Sequence, residues 1–364
     1  MGNRIFSSIF VSRSGGSLFS SLAVAAVAVF LAAAPTGTKA AELYAQVGPA
    51  DAQAAANTSN HHYHLLALRN APHNLAAQTY PPLAGQSRGE LYSSTQNKAG
   101  TNRSTPAPLT TFYPADLSQT GGGSVLTTAV SHPVYVNCAT PATCWGNPAG
   151  FLGDLGKSTF IHLTDQYVGS VANNRYTVGN SVSLSYRGRS STLGMSDLLS
   201  ILHSAVVANG RQTGYGHIYH IFLPKGTDVC ASGGSCYSPD YPSYFAFCAF
   251  HSSTDYSDVG HVLFTVEPYQ GVPGCQEQAS TGAFPNGQLA DSTNSTLSHE
   301  QFETITDPDG SAWYVAADLD LYGSEIGDVC QSETGLPGAV QLNSKPYQLQ
   351  LEYSNASHSC SFTN

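Results

Sequence analysis

Hydrophobic side chains follow a regular spacing mainly in the part of the chain after residue 128. Apolar residues recur there at helical spacing after Ser196 and before Gly210, which predicts a helix over residues 196–208. Five further stretches alternate apolar with polar positions or form short apolar runs, and such patterns predict β-strands. These stretches are residues 133–137, 176–186, 217–223, 244–250 and 261–266.

A second helix is predicted over residues 296–306, although its sequence is mostly polar. Ser298 is a further capping candidate, and Pro308 ends the helix because it keeps the preceding residue out of helical conformation. The resulting order is strand, helix, three strands and a second helix. It predicts an α+β fold in which helices back a mixed β-sheet. Zinc metallopeptidases of the zincin type have the same order, so we expect a zincin-like arrangement.

The first 41 residues predict a secretory signal peptide. Arg4 and Arg13 give it a basic start, residues 18–34 form an apolar run, and small residues before position 42 offer a cleavage site. A retained membrane anchor is the alternative, but the run is short for the roughly 20 residues that a spanning helix needs. We expect a secreted or cell-envelope protein, without stable membrane insertion after cleavage.

Residues 42–128 differ in composition from the rest of the chain. They are rich in Ala, Gln, Asn, Ser, Thr and Pro, contain no cysteine, and show a clear apolar run only over residues 64–68. This composition predicts a low-complexity propiece or linker, followed by a folded domain over residues 129–364. Its histidines are interpreted as solvated, with metal binding as the alternative: His61, His62, His64 and His73.

Charge excludes one class of partner. The chain has 14 basic and 24 acidic residues, and signal cleavage removes three of the basic ones, so the mature charge is −13. An acidic protein has no electrostatic attraction for nucleic acid or anionic membranes. An extracellular polymer or a peptide remains as the expected partner.

All eight cysteines follow residue 137, and an even number in an exported chain predicts four disulfides. A thiolate zinc site is the alternative, but the chain has no CxxC pair. The simplest pairing joins neighbours along the chain: Cys138 with Cys144, Cys230 with Cys236, Cys248 with Cys275, and Cys330 with Cys360.

Candidate metal chemistry lies in the second helix. His299 and Glu303 are four residues apart and share one helical face, and Glu325 and Asp328 supply further carboxylates downstream. This HExxE pattern predicts a divalent metal site with zinc favoured and calcium possible, in which Glu300 is the catalytic base. The alternative is structural: His299 bonds a carbonyl, and the acids are solvated. Two isolated residues, His251 and Asp165, are further candidates for lining a cleft.

The same residues carry a family resemblance. Residues 298–308, the Ala312-Trp313 pair and the Glu325-Ile326-Gly327-Asp328-Val329-Cys330 segment resemble the signature of the EXORDIUM / phosphate-induced protein 1 family, and residues 248–251 are similar to its Cys-Gly-Phe-His segment. The chain looks more like a bacterial-type relative than a plant member. The resemblance implies a secreted protein associated with the cell wall or matrix, without implying an activity.

Two functional hypotheses therefore stay open. In the first, the chain is a metal-dependent peptidase or hydrolase of the zincin type that acts outside the cytoplasm. In the second, it is a non-catalytic cell-wall or matrix-associated protein that binds through its Ser-, Thr-, Asn- and Tyr-rich surface.

Overall fold

The computed structural model describes nine stretches of the chain, the first of them by its backbone alone: residues 43–47, 63–69, 113–119, 121–188, 192–231, 234–278, 284–318, 320–331 and 340–364. The predicted signal peptide lies outside the described residues, as do His61, His62 and His73 of the predicted propiece.

These stretches contain five α-helices and short 3-10 helices at Phe160–Thr164 and Asp328–Cys330. The α-helices are α1 (Pro141–Cys144), α2 (Pro148–Leu155), α3 (Asp165–Val168), α4 (Met195–Ala208) and α5 (Gln288–Thr306). The strands are β1 (Leu43–Val47), β2 (His64–Ala67), β3 (Leu117–Gln119), β4 (Ala129–Val136), β5 (Tyr176–Val178), β6 (Val182–Tyr186), β7 (Thr192–Leu193), β8 (His217–Phe222), β9 (Asp228–Cys230), β10 (Cys236–Tyr237), β11 (Phe247–Tyr256), β12 (Gly260–Glu267), β13 (Trp313–Val315), β14 (Val340–Leu342), β15 (Lys345–Tyr347), β16 (Glu352–Ser354) and β17 (Ser359–Ser361).

Eight strands form one mixed sheet in the order β1-β6-β4-β8-β12-β11-β2, with β5 paired to β4. Neighbours from β1 through β12 run parallel, whereas β11 is antiparallel to both β12 and β2. The prediction of an α+β fold with a mixed sheet is confirmed. β11 is thus the one strand of this sheet that runs against the others.

Helices cover both faces of the sheet. Side chains alternate along β4, so that Val134 and Val136 join a hydrophobic cluster with α4. Tyr135 points to the opposite face and joins a second cluster with α2 and α5. Because both faces are buried, the central strands can be nearly continuous apolar runs.

The α4 helix matches its predicted position to within one residue. Leu198, Ile201 and Leu202 are fully buried on its apolar face, and Asp197 accepts a hydrogen bond from the Gly194 amide at its start. Beyond it, Gly210 adopts φ +74°, a conformation that glycine reaches without a steric penalty.

The α5 helix begins eight residues before the predicted start. Polar residues precede Thr296 and offer no apolar periodicity, yet every residue from Asp291 to Thr306 is buried. Tertiary hydrogen bonds stabilise this first part: Ser292 Oγ accepts from the Glu277 amide, and Asp291 accepts from Asn286 and from the Gln348 amide. The predicted end holds, because the helix stops at Thr306 before Asp307 and Pro308.

Three strands fall within residues 42–128, for which the composition predicts mainly irregular structure. β1 and β2 join opposite ends of the main sheet, and β3 pairs with β13. Elsewhere the predicted strands lie at their expected places with shifted ends. The 176–186 stretch divides into β5 and β6, and β11 extends six residues past its predicted end at residue 250.

All four predicted disulfides are confirmed as Cys138–Cys144, Cys230–Cys236, Cys248–Cys275 and Cys330–Cys360. Such a set indicates folding in an oxidising compartment. Within the described part of the chain, no helix has the length and apolar character needed to span a bilayer.

Candidate metal centre

Four segments of the chain bring histidines and acids together at one buried place. α5 carries His299, Glu300 and Glu303, and the turn and start of the second 3-10 helix carry Glu325 and Asp328. β11 adds His251, and β2 adds His64 from the N-terminal region. We call the seven residues named here the cation centre.

The first group of potential ligands consists of His299, Glu303 and Asp328. His299 Nε2 lies 3.0 Å from Glu303 Oε1 and 3.8 Å from Asp328 Oδ1. Zinc with bonds of about 2.1 Å to tetrahedral ligands separates ligand atoms by about 3.4 Å, so these three atoms have suitable spacing for one ion.

Two neighbours fix the orientation of the His299 ring. Gln350 Nε2 lies 3.0 Å from His299 Nδ1 and also donates to the Gly327 carbonyl at 2.7 Å. The ring lies directly against Gly327, where an added Cβ would be 2.6 Å from His299 Cε1 and closer still to Nδ1. Position 327 therefore requires the absence of a side chain.

His251 connects this group to the remaining residues. Its Nδ1 lies 3.4 Å from both Glu300 Oε2 and Glu303 Oε2, and its Nε2 lies 3.5 Å from Glu325 Oε2. His64 Nδ1 approaches Glu325 Oε1 to 2.6 Å, and its ring stacks on that of His251. Glu325 is thus grouped with His64 and His251, while Asp328 is grouped with His299.

The cation centre is almost closed to solvent. His251, His299, Glu300 and Glu325 have no exposed surface, and Asp328 is the most exposed of the seven residues, at 11 %. Among the described residues, every ion pair made by its carboxylates has a histidine as partner, never Lys or Arg. Burying such an acid cluster costs several kcal/mol per ion unless protons or a cation compensate the charge.

Protonation provides this compensation when no metal is bound. Burial and the neighbouring Glu303 and Glu267 raise the pKa of Glu300 well above its usual value. Burial alone would lower the pKa of His299, but Glu303 and Asp328 raise it to about 9. Burial together with Glu303 raises the pKa of Asp328 to about 7. Burial would raise the pKa of Glu303 as well, but the adjacent His299 and His251 lower it.

Several polar atoms here have no hydrogen-bond partner among the described residues. They include both carboxylate oxygens of Glu300, both of Glu352, His251 Nδ1 and His299 Nε2, whose approach to Glu303 is poorly aligned. Unpaired buried polar atoms are rare because each costs about 1–3 kcal/mol. The close imidazole nitrogens and carboxylate oxygens of the three ligand groups therefore fit a divalent cation.

Sequence reasoning placed some of these residues and missed others. The structure brings His251 to the cation centre. Asp165 lies at the start of α3, where it pairs with Arg175 and His162, and it is not part of the cation centre. The solvated interpretation of His64 is wrong, because its side chain is 4 % exposed. The apolar run that follows His64 is the signal that could have indicated a buried strand. Nothing in the sequence around Glu352 indicated that it is fully buried.

Comparisons with known proteins do not assign the chain to a group. No family model matches the sequence, and neither a curated protein nor a solved structure matches it.

Proposed function

We propose that the chain is an exported, divalent-metal-dependent hydrolase of the zincin type that cleaves peptides or extracellular polymers. The observation that carries the proposal is the convergence of His299, Glu303 and Asp328 at ligand spacing, inside a buried acid cluster. The predicted resemblance to the EXORDIUM family and the four disulfides support secretion.

Zinc suits this donor set best. Calcium takes about six to eight oxygen ligands and does not favour imidazole, whereas zinc accepts imidazole and carboxylate at about four positions. His299 and His251 both point nitrogens into the centre, and the Gln350 side chain, 3.0 Å from His299 Nδ1, holds the His299 ring in place.

Chemistry would be divided among the residues around the ion. A bound divalent cation acidifies water and polarises a carbonyl oxygen. Glu300 follows His299 directly and is the group that accepts the proton of the attacking water and transfers it to the leaving group. His251 Nδ1, 3.4 Å from Glu300 Oε2, orients that carboxylate or shares its proton.

The chain order also supports the proposal. A zincin has a mixed sheet followed by a helix that carries the first ligands and the base, with a further acidic ligand downstream. Here β11 and β12 precede α5, and Glu325 and Asp328 follow it. The chain differs from the zincin pattern at Glu303, which has a carboxylate in the place of the second histidine. It reduces the net charge of the bound ion and hence the acidification of its water.

Elemental analysis tests the metal, and one variant tests the catalysis. Purified protein should contain one zinc per chain, and His299→Ala should lose it, whereas His203→Ala, on an exposed pair with Asp258, should keep it. Glu300→Gln should retain zinc but lose hydrolysis of a mixed peptide library by at least about 100-fold. Wild-type protein that folds but neither contains nor binds zinc would refute the proposal.

A second candidate function rests on the complete burial of Glu300. A base that water cannot reach is consistent with a structural metal site in a non-catalytic matrix protein. In that case zinc would be present, its removal would unfold the protein, and Glu300→Gln would change no activity.

A further inference from the structure

The edge of the sheet next to the cation centre is covered by a segment from the N-terminal region. β2 pairs antiparallel with β11, with His64 opposite His251, Leu65 opposite Phe250, Leu66 opposite Ala249 and Ala67 opposite Phe247. Among the described strands β2 pairs with β11 alone, so β11 would be the edge strand of the described sheet without it. Backbone pairing of this kind does not depend on the sequence of the added strand.

The covering segment also reaches into the centre. Its His64 ring stacks on His251 at 4.8 Å and approaches Glu325 to 2.6 Å. His251 in turn contacts Glu300 and Glu303. An imidazole from β2 therefore covers His251, the residue that contacts the candidate base Glu300.

Side-chain contacts anchor the rest of the segment in defined pockets. Leu66 is 3 % exposed within the first hydrophobic cluster, and the Gln331 side chain donates to the Ala67 carbonyl. Arg69 forms a buried ion pair with Glu277 at 2.6 Å and donates through Nε to the Cys275 carbonyl. These pockets recognise an aliphatic side chain and, three residues later, a basic one.

We propose that the outer edge of β11 is the binding surface for an extended polypeptide, and that residues 63–69 occupy this surface from within the same chain and close the cation centre. The proposal deepens the proposed function, on which it rests for the reaction, by naming the substrate class. The preferred substrate is an extended peptide with an aliphatic residue at the position of Leu66 and Lys or Arg at that of Arg69. The buried Glu277 carboxylate selects the basic residue, because leaving it unpaired is costly.

Hydrogen exchange on the unmodified full-length protein tests whether the segment can leave. An intramolecular ligand that gives way to substrate opens without global unfolding, so the paired amides of β2 should exchange at least about tenfold faster than those of the central strand β8. Equal protection of β2 and β8, limited by global unfolding, would show a permanent strand and would refute the proposal.

Peptide binding tests the edge directly. The probe is the fluorescent heptapeptide Tyr-His-Leu-Leu-Ala-Leu-Arg, which copies residues 63–69. Full-length Arg69→Ala should bind it at least about tenfold more tightly than wild type, because the internal competitor is weakened. The matched control is Arg175→Ala, which removes an equally buried ion pair with Asp165 and should bind no better than wild type. A peptide ending in Glu should bind Arg69→Ala at least about tenfold less tightly.

The outcomes separate this proposal from the proposed function. Peptide binding by Arg69→Ala in a protein that holds no zinc would leave the binding edge intact and refute the metal hydrolase. Stoichiometric zinc with a folded Arg69→Ala that binds no peptide would refute the edge and leave the metal centre. If Arg69→Ala does not fold, the exchange rates of the wild-type β2 amides decide the matter alone.

Discussion

Gly327→Ala is the sharpest single test of the cation centre, because it perturbs a ligand without altering any polar atom. The new Cβ would lie 2.6 Å from His299 Cε1. An ordinary carbon–carbon separation is about 3.5 Å, so the ring or the backbone has to move by about 0.9 Å. Metal–ligand distances tolerate only about 0.2 Å.

Two effects of known size follow from this displacement. Overpacking a buried contact costs about 1–3 kcal/mol of unfolding free energy. Disturbing the groups that orient a metal-bound histidine lowers metal affinity by about 10–100-fold, or roughly 1.4–2.8 kcal/mol. Metal-free Gly327→Ala should therefore be less stable than wild type, and in the metal-bound form the deficit should become larger still.

Urea unfolding with and without zinc measures the stability, and competition with a chelator measures the affinity. The matched control is Gly216→Ala, since a Cβ at that glycine meets no atom within 4 Å and its φ is not positive. It should be neutral or stabilising by up to about 1 kcal/mol. If Gly327→Ala bound zinc within about twofold of wild type and unfolded at the same urea concentration as the control, the assigned contact with His299 would be wrong.

Three further predictions concern the surroundings of the centre. Gln350→Leu removes the amide that orients His299 and should weaken zinc binding by about 10–100-fold in chelator competition, with the fold retained in circular dichroism. Zinc affinity measured by calorimetry should fall about 100-fold per pH unit below 7, because His299 with a pKa of about 9 and Asp328 with a pKa of about 7 then both carry a proton that competes with the metal. Removing the Cys330–Cys360 disulfide, which closes a separation of 30 residues beside Asp328, should cost about 3–4 kcal/mol and weaken zinc binding.

Each of these has its own counter-result. Unchanged affinity in Gln350→Leu would mean that the ring is held by Gly327 alone. Titration of metal-free protein checks the sign of the pH effect: the raised pKa of Asp328 stabilises the fold at acidic pH, and this stability is lost as pH rises through 7. Metal-free protein that is more stable at pH 8 than at pH 5 would contradict this. The Cys138–Cys144 disulfide is the control for the removal of Cys330–Cys360, and its own removal should leave zinc binding unchanged.

The elements with regular apolar spacing could be predicted from the sequence, because their side chains pack on one identifiable face. α4 is the clearest case, and the nearest-neighbour disulfides also followed from order along the chain. The first half of α5 could not be predicted. Its Ser, Thr and Asn side chains indicate an exposed segment, and its burial depends on hydrogen bonds to Glu277, Gln348 and other residues distant in sequence.

The candidate site shows the same division. His299, Glu303 and Asp328 were predictable because helical geometry and a family-like spacing fix them relative to one another. His64 was not, because its neighbours in space lie almost 190 residues or more away along the chain. The composition of residues 42–128 is dominated by polar and small residues, so it predicts irregular structure for residues 63–69 as well, although these seven residues form the buried strand segment.

The polar character of α5 and the burial of β2 have a common physical explanation. A helix whose entire second half is buried needs partners for its acids, and the described structure offers Glu303 the imidazoles of His299 and His251 and the Asp328 amide. Without β2, Glu325 would lose its contact with the His64 imidazole, and the centre would gain a path to water. A cation held by His299, Glu303 and Asp328 would then compensate the acids that His64 no longer reaches. The segment and the metal therefore stabilise the same buried charge, and for this reason opening the edge of β11 and loading the centre with zinc should be measured on the same protein.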